Sequence, residues 1–118
     1  MSYADGFVMV VPKKKLDAYR RIAKLAGKIW REHGALDYKE CVGDDLKTKF
    51  GVPFPKLAKA KTGDSVVFSW ILYKSRAQRD KVNAKVMADP RMAKMMHGEM
   101  PFDPKRMTYG GFKVIVDM

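Results

Sequence analysis

The sequence has few of the residues that bind transition metals or form crosslinks. Among its 118 residues, one is cysteine and two are histidine. Cys41 has no second cysteine with which to form an internal disulfide, and His33 and His97 leave little for a transition-metal site. We therefore predict no metal and no cofactor. We interpret Cys41 as a small buried strand residue, in a chain that works in a reducing cytoplasm.

Long apolar segments are absent as well. No run approaches the roughly 18 apolar residues that a membrane span requires, so we expect no membrane partner. Residues 1–11 lack the basic segment and the small-residue cleavage site of a signal peptide. Hydrophobic residues still make up 47% of the chain and charged residues 31%, which is enough apolar material for one core. Length and composition predict a single domain over residues 1–118.

Several motifs that would identify a function are missing. The chain has no glycine-rich phosphate loop of the Walker type and no Cys-x-x-Cys loop of a metal chaperone. The segment at residues 64–70, Asp-Ser-Val-Val-Phe-Ser-Trp, lacks the basic–glycine pair of an RNA-recognition module. No specific motif therefore supports nucleotide, heavy-metal or sequence-specific RNA binding.

Positive charge dominates the composition. The chain has 24 Lys and Arg against 13 Asp and Glu, a net charge of +11. Such a field favours nucleic acid, an anionic surface or an acidic ligand. The basic residues are scattered, however, and form no dense arginine-rich stripe. Binding of RNA or another polyanion remains an alternative, beside a surface that only keeps a small protein soluble.

The spacing of apolar residues predicts the order strand, helix, strand, strand, helix, strand. The first helix has an apolar half and a charged half, and Gly34 is predicted to end it in a left-handed conformation. Ser75 is predicted to cap the second long helix. The predicted elements are strands at 6–11, 36–42, 65–73 and 109–117, helices at 13–33, 75–88 and 91–97, and a connection at 43–63 with a short helix at 56–60. This order predicts an α+β fold of the ferredoxin-like βαββαβ type, a four-stranded antiparallel sheet with helices on one face.

Both faces of the predicted sheet are apolar. In the first strand, Phe7 and Met9 point one way, while Val8 and Val10 point the other way, and the third strand alternates similarly. The helices cover only one face, so something else must cover the second. The simplest cover is the sheet of a second copy related by a two-fold axis. The pattern therefore predicts a homodimer formed through the sheet face.

Several polar residues occupy positions where apolar ones are expected. Glu40 shares a strand face with Tyr38, where a half-buried carboxylate would suit a general base; an ion pair with a lysine or arginine is the simpler alternative. Arg79 and Asn83 fall inside the apolar arc of the second long helix, where they would bind a ligand or tether a loop. Trp70 is expected either in a cavity wall or in the core or dimer seam. The candidate cavity residues are Glu40, Trp70, Arg79, Asn83, Arg106 and Tyr109, and none is assigned a catalytic role.

Methionine is abundant towards the end of the chain. Six of the nine methionines fall between residues 87 and 107. They form either a soft, adaptable apolar surface or ordinary filling beneath a short helix.

Some segments resemble a known family nearly from end to end. These segments are Asp5-Gly6-Phe7, Gly34-Ala35, Gly43-Asp44-Asp45, residues 66–70, 87–92, 100–103 and 105–112. They resemble the YbaA-like family of small bacterial proteins of unknown function. The resemblance implies a ferredoxin-like domain of the dimeric α+β barrel type, whose wider superfamily includes cofactor-free monooxygenases, isomerases and haem enzymes. Some relatives carry a label that links them to signal-recognition-particle RNA.

Three functions follow as expectations. The first is a homodimeric small-molecule-binding domain or cofactor-free enzyme, with a cavity between the sheet and the helices. The second is binding of RNA or another polyanion through the basic surface. The third is a structural or stress-associated dimer without a ligand.

Overall fold

A computed structural model describes residues 1–118. The chain contains one four-stranded antiparallel sheet. The strands are β1 (Tyr3–Pro12), β2 (Asp37–Val42), β3 (Asp64–Tyr73) and β4 (Thr108–Lys113), in the order β2-β3-β1-β4. The helices are α1 (Leu16–Glu32), α2 (Phe54–Leu57), α3 (Arg76–Ala88) and α4 (Pro90–His97), with 3₁₀ turns at Lys13–Lys15 and Pro104–Arg106. The predicted α+β, ferredoxin-like βαββαβ order is confirmed.

The central strands β1 and β3 divide the molecule into two faces. They pair antiparallel over ten residues, from Tyr3 opposite Tyr73 to Pro12 opposite Asp64. The odd-numbered residues of both strands point towards α1, α3 and α4, and we name this side the inner face. Val11, Val67 and Tyr73 are fully buried there. The even-numbered residues form the outer face. The alternation predicted from the sequence is therefore present in the sheet.

The ends of β1 and β4 differ from the predicted ones for a common reason. β1 begins at Tyr3 rather than at residue 6, because it is a central strand with partners on both sides. β4 was expected to continue to residue 117 but ends at Lys113, which lies opposite Tyr3. Beyond this point β1 offers only the carbonyl of Ser2, which accepts a hydrogen bond from the Val114 amide at 3.1 Å. The apolar residues that follow have no partner strand.

The helix α1 packs very closely on β2 at one glycine. Gly27 lies in the interior of the helix, where glycine ordinarily costs about 1 kcal/mol relative to alanine. A side chain at this position would place its Cβ atom 2.7 Å from the Tyr38 ring. The absence of a side chain therefore allows the ring to lie against the helix backbone. After α1, Gly34 adopts a positive φ of 117°, as predicted.

Asp89 fixes the junction between α3 and α4. Its carboxylate caps α4 by accepting a hydrogen bond from the Arg91 amide at 2.9 Å. The same carboxylate lies 2.8 Å from Nε2 of His33, at the end of α1. Hydrogen bonds from Arg91 and then from His33 hold the pKa of Asp89 well below its usual range. The contacts hold α4 beside α1, so that Met92 packs into the core.

The outer face is only partly covered. The connection after β2 contains α2, which begins at Phe54, two residues before the predicted short helix. Phe54 packs edge-on against Phe68 of β3, with ring centroids 6.3 Å apart. Phe68 and Phe112 nevertheless remain 42% and 62% exposed. The molecule measures 38 × 38 × 20 Å, a thickness that leaves no third layer over this face.

Candidate functional site

A cavity of about 570 Å³ lies between the inner face of the sheet and the helices. Its walls come from all four strands on one side and from α1, α3 and α4 on the other. Phe102 and Met107, from the segment before β4, complete the wall. The volume falls in the range of small-molecule sites, about 300–1,000 Å³.

Methionine forms much of the cavity wall. Seven of the nine methionines line it: Met9, Met87, Met92, Met95, Met96, Met100 and Met107. Met87, Met96 and Tyr109 are also more than half exposed, so the cavity opens to solvent beside them. Unbranched thioether side chains adapt readily to the shape of a neighbour. The wall is therefore suited to apolar molecules of more than one shape.

One end of the cavity contains a buried carboxylate and an arginine. Asp5, on the inner face of β1, is only 5% exposed. The Arg79 Nε atom lies 3.8 Å from its Oδ1 atom, and Nη2 donates a hydrogen bond of 3.0 Å to the Tyr3 hydroxyl. Burial raises the pKa of Asp5, and the Arg79 charge only partly opposes this effect. A carboxyl group with a raised pKa beside a cavity is a feature of acid–base sites.

Gly111 makes room for this arginine. It lies on β4 directly opposite Asp5. A Cβ atom at this position would lie 2.8 Å from Nη2 of Arg79 and would also collide with the Tyr3 hydroxyl. Gly111 therefore leaves the space that the guanidinium group occupies beside Asp5.

Asn83 links the same end of the cavity to α1. Its Oδ1 atom accepts hydrogen bonds from Trp30 Nε1 at 3.2 Å and from the Tyr73 hydroxyl at 3.1 Å. Trp30 belongs to α1, Tyr73 to β3 and Asn83 to α3. One amide thus connects three elements that enclose the cavity.

Glu40 occupies a second polar position, on β2. Its two carboxylate oxygens accept hydrogen bonds from the hydroxyls of Tyr19 and Tyr38, at 2.7 and 2.6 Å. Burial, and then the Glu40 charge, raise the pKa of both tyrosines. The tyrosines therefore remain protonated donors. The ion pair with lysine or arginine that the sequence left open for Glu40 is not formed.

A groove of about 730 Å³ runs along the other side of this group, between α1 and β2. Tyr19, Ala23, Tyr38 and Glu40 line both the groove and the cavity, so they form the partition between the two spaces. The rim of the groove carries one acidic and four basic residues, Asp17, Arg20, Lys24, Lys28 and Arg31.

Four of the six candidate cavity residues line the cavity, namely Glu40, Arg79, Asn83 and Tyr109. Trp70 does not. It lies on the outer face of β3, where Phe68 is its aromatic neighbour at 5.8 Å, because an even-numbered residue of this strand points away from α1. Arg106 is also elsewhere. Its Nη2 atom donates to the Lys59 carbonyl at 2.8 Å and lies 3.7 Å from Asp64, which fixes the connection before β3.

Asp5 is not among the candidate residues predicted from the sequence. The predicted first strand begins at residue 6 and therefore excludes it. Extending the alternation of Phe7 and Met9 two residues backwards places Asp5 on the buried face, and a charged residue there would have been the signal.

The described chain shows no arrangement of three or more His, Cys, Asp or Glu side chains that could hold a metal ion. None of its helices combines the length and apolar character needed to cross a membrane.

Comparison with solved structures identifies the fold. The chain aligns with Rv0793 from Mycobacterium tuberculosis at a TM-score of 0.60 and 13% identity, covering 99% of this chain and 98% of the other. It aligns with SnoaB, a cofactor-independent oxygenase from Streptomyces nogalater, at 0.63 and 7% identity, covering 99% and 96%. A dimeric ferredoxin-like protein from an uncultured marine organism aligns at 0.56 and 12% identity, covering 99% and 98%. The TM-scores show a shared fold, and at identities of 7–13% the similarity extends to the fold alone.

Sequence comparison identifies the family. The chain is 48% identical over 117 residues to the uncharacterized protein YbaA of Escherichia coli strain K12, covering 99% of each, and equally to that of Shigella flexneri. Residues 2–104 match a family model described as a protein of unknown function, DUF1428. The resemblance seen in the sequence is confirmed, and the chain belongs to the DUF1428 family, together with YbaA.

Proposed function

We propose that the chain binds a small, mainly apolar organic molecule in the cavity between the sheet and the helices. The observation that carries this proposal is the cavity itself, about 570 Å³ in volume and walled largely by methionine and aromatic side chains. Small-molecule sites typically combine such apolar walls with a few well-placed polar groups. Asp5 with Arg79, and Glu40 with its two tyrosines, supply those groups at separate positions.

The Asp5–Arg79 pair supports acid–base chemistry on the bound molecule. A carboxylate whose pKa is raised by burial is a stronger proton acceptor than an exposed one. In the proposed step, a bond from hydrogen to a ligand atom breaks, its proton passes to Asp5, and the electron pair stays on the ligand. Arg79 stabilises the negative charge that develops there. The shared fold of a cofactor-independent oxygenase is compatible with chemistry performed by side chains alone.

Filling the cavity tests the location of binding. Ala26 lines the cavity on α1, and Ala26→Leu adds three carbons to the space that a ligand would occupy. We expect isothermal titration with 2-naphthylmethanol to show saturable binding to the wild type, weakened about tenfold in the variant, or about 1.4 kcal/mol. Ala84→Leu, on the exposed surface of α3, is the control and should bind as the wild type does. Equal affinity in Ala26→Leu, or no saturable binding, would contradict the proposal.

The pH dependence of stability tests the electrostatic state of Asp5. Because its pKa is raised in the folded protein, the folded state binds this proton more tightly than the unfolded state. Its contribution to stability therefore falls as the pH rises from the ordinary aspartate value of 3.8 through the folded pKa. Asp5→Asn removes this loss, so the variant should gain stability relative to the wild type as the pH rises above 3.8.

Urea unfolding at a series of pH values measures this difference, with Asp17→Asn on the exposed surface of α1 as the control. If the wild type instead gained stability relative to Asp5→Asn over the same range, the attraction of Arg79 would exceed the cost of burial. Asp5 would then be a structural ion-pair partner rather than a poised base.

We also propose that two copies associate through the outer face. Phe68 and Phe112 are exposed on it, and Phe68 contacts Trp70 at 5.8 Å between ring centroids. A solved neighbour described as dimeric and ferredoxin-like is compatible with this assembly. An exposed apolar patch of adjacent side chains is typical of an interaction surface.

Sedimentation equilibrium at micromolar concentration tests the association. We expect a mass twice the 13.5 kDa of one chain, and a mass of one chain for Phe68→Glu, which places a charge in the seam. Leu25→Glu, at an exposed position on α1, is the control and should leave the mass unchanged. A wild type that sediments as one chain would refute the proposal.

RNA binding and a ligand-free structural role remain predictions from the sequence, as does the cytoplasmic location. The groove beside α1 carries basic residues that would attract RNA. The hydroxyls of the tyrosines in its wall already donate to Glu40, a negative charge in the same groove that would repel phosphate. No structural observation favours either alternative over the cavity.

A further inference from the structure

Glu40 differs from every other shielded carboxylate in the chain. Five of the 13 acidic side chains are not fully exposed. Four of them have a cationic partner: Asp5 with Arg79, Asp37 with Lys39, Asp64 with Arg106, and Asp89 with His33 and Arg91. Glu40 takes part in none of the chain's ion pairs. A shielded negative charge without a counter-charge is costly, so this exception requires a cause.

The two tyrosines orient Glu40 but do not neutralise it. Tyr19 donates to one carboxylate oxygen and Tyr38 to the other. Each oxygen of a carboxylate accepts more than one hydrogen bond, so each retains acceptor capacity. The basic residues along the groove, Arg20 among them, line the same groove as Glu40, but none of them forms an ion pair with its carboxylate.

The two tyrosines that bind Glu40 are part of a group of four aromatic rings on the cavity side. Tyr38 packs against Trp30 with ring centroids 6.1 Å apart, and Tyr19 packs edge-on against Phe102 at 5.6 Å. All four rings and Glu40 line the cavity. A carboxylate beside several aromatic rings is the chemistry that recognises an organic ammonium group, since both the charge and the ring faces attract a cation.

We propose that the ligand of the cavity carries a positively charged amino group, which Glu40 binds while the apolar part of the ligand contacts the methionine wall. The inference rests on the proposed function, and it names the class of ligand as an apolar organic amine. The ligand supplies the counter-charge that the chain itself does not provide. It also explains why Glu40, unlike Asp5, has no arginine beside it.

The hydrogen bonds from Tyr19 and Tyr38 to Glu40 also connect α1 to β2. A purely structural role of Glu40 must therefore be separated from ligand binding. Glu40→Gln serves this purpose because glutamine has nearly the same shape. Its amide oxygen accepts from one tyrosine hydroxyl, and its NH2 group donates to the hydroxyl oxygen of the other, so the charge is removed while a hydrogen bond to each tyrosine is kept. Glu99→Gln, the same change at an exposed position, is the matched control.

Two probes that differ in one group provide the test. They are 2-naphthylmethylamine, an ammonium ion at neutral pH, and 2-naphthylmethanol, which is uncharged. Isothermal titration at low salt should show that the wild type and Glu99→Gln bind the amine about tenfold more tightly than the alcohol. In Glu40→Gln this preference should disappear, with the affinity for the alcohol unchanged.

The outcomes separate this inference from the proposed function. If the wild type binds both probes equally, or if the preference for the amine persists in Glu40→Gln, the amine inference is overturned and the cavity proposal stands. If neither probe binds saturably, both are overturned. If Glu40→Gln fails to fold, the two probes on Asp5→Asn decide the matter: a preference for the amine that persists there supports Glu40 as the binding group, and one that disappears overturns the inference, because Asp5 is the other carboxylate that lines the cavity.

Discussion

The pairing of β1 with its two neighbours positions Asp5 in the cavity and leaves room for Arg79 beside it. β1 lies between β3 and β4, so each inner-face residue of β1 has a neighbour on both sides. Opposite Asp5 lie Ile71 on β3 and Gly111 on β4. Gly111 has no side chain and so leaves space for Arg79, while the buried Ile71 gives Asp5 an apolar neighbour. A shift of one residue in this register would turn Asp5 towards the outer face.

The two shielded carboxylates of the cavity are stabilised in different ways. Asp5 has a nearby arginine, yet its pKa is still raised because burial is the larger effect. Glu40 has two hydroxyl donors and no cation. Neither arrangement is what stability alone would favour, since an apolar pair of similar shape avoids the cost of desolvation. Polar groups held at such a cost are characteristic of functional sites.

Much of the fold follows from the sequence, because alternating residues and helix caps are local signals. Trp70 shows what phase alone does not determine: alternation places it on the face opposite Ile71, but which of the two faces the helices cover is set by tertiary packing. Asp5 depended on locating the start of a strand, and that position is set by pairing with distant residues. The contact between Tyr19 and Glu40 depends on how α1 packs on β2. This packing is close at Gly27, but a glycine within a helix does not indicate which residue will lie against it.

The methionine wall connects the fold to its proposed use. A sheet with helices on one face usually fills the space between them with branched, well-packed side chains. Here the junction at Asp89 holds α4 beside α1, and flexible methionines occupy much of the remaining wall. Such side chains accept several shapes at little cost. The polar groups then determine which molecule binds, and the wall allows its apolar part to fit.

The central claim is that an apolar molecule binds in this cavity, and methionine methyl resonances test it most directly. Seven methionines line the cavity, whereas Met1 and Met118 lie at the ends of the chain and do not. In protein labelled with ¹³C at the methionine methyl groups, titration with 2-naphthylmethanol should shift the resonances of the seven. Those of Met1 and Met118 should remain in place. Shifts confined to the two terminal methionines, or no shift at saturating probe, would contradict the account.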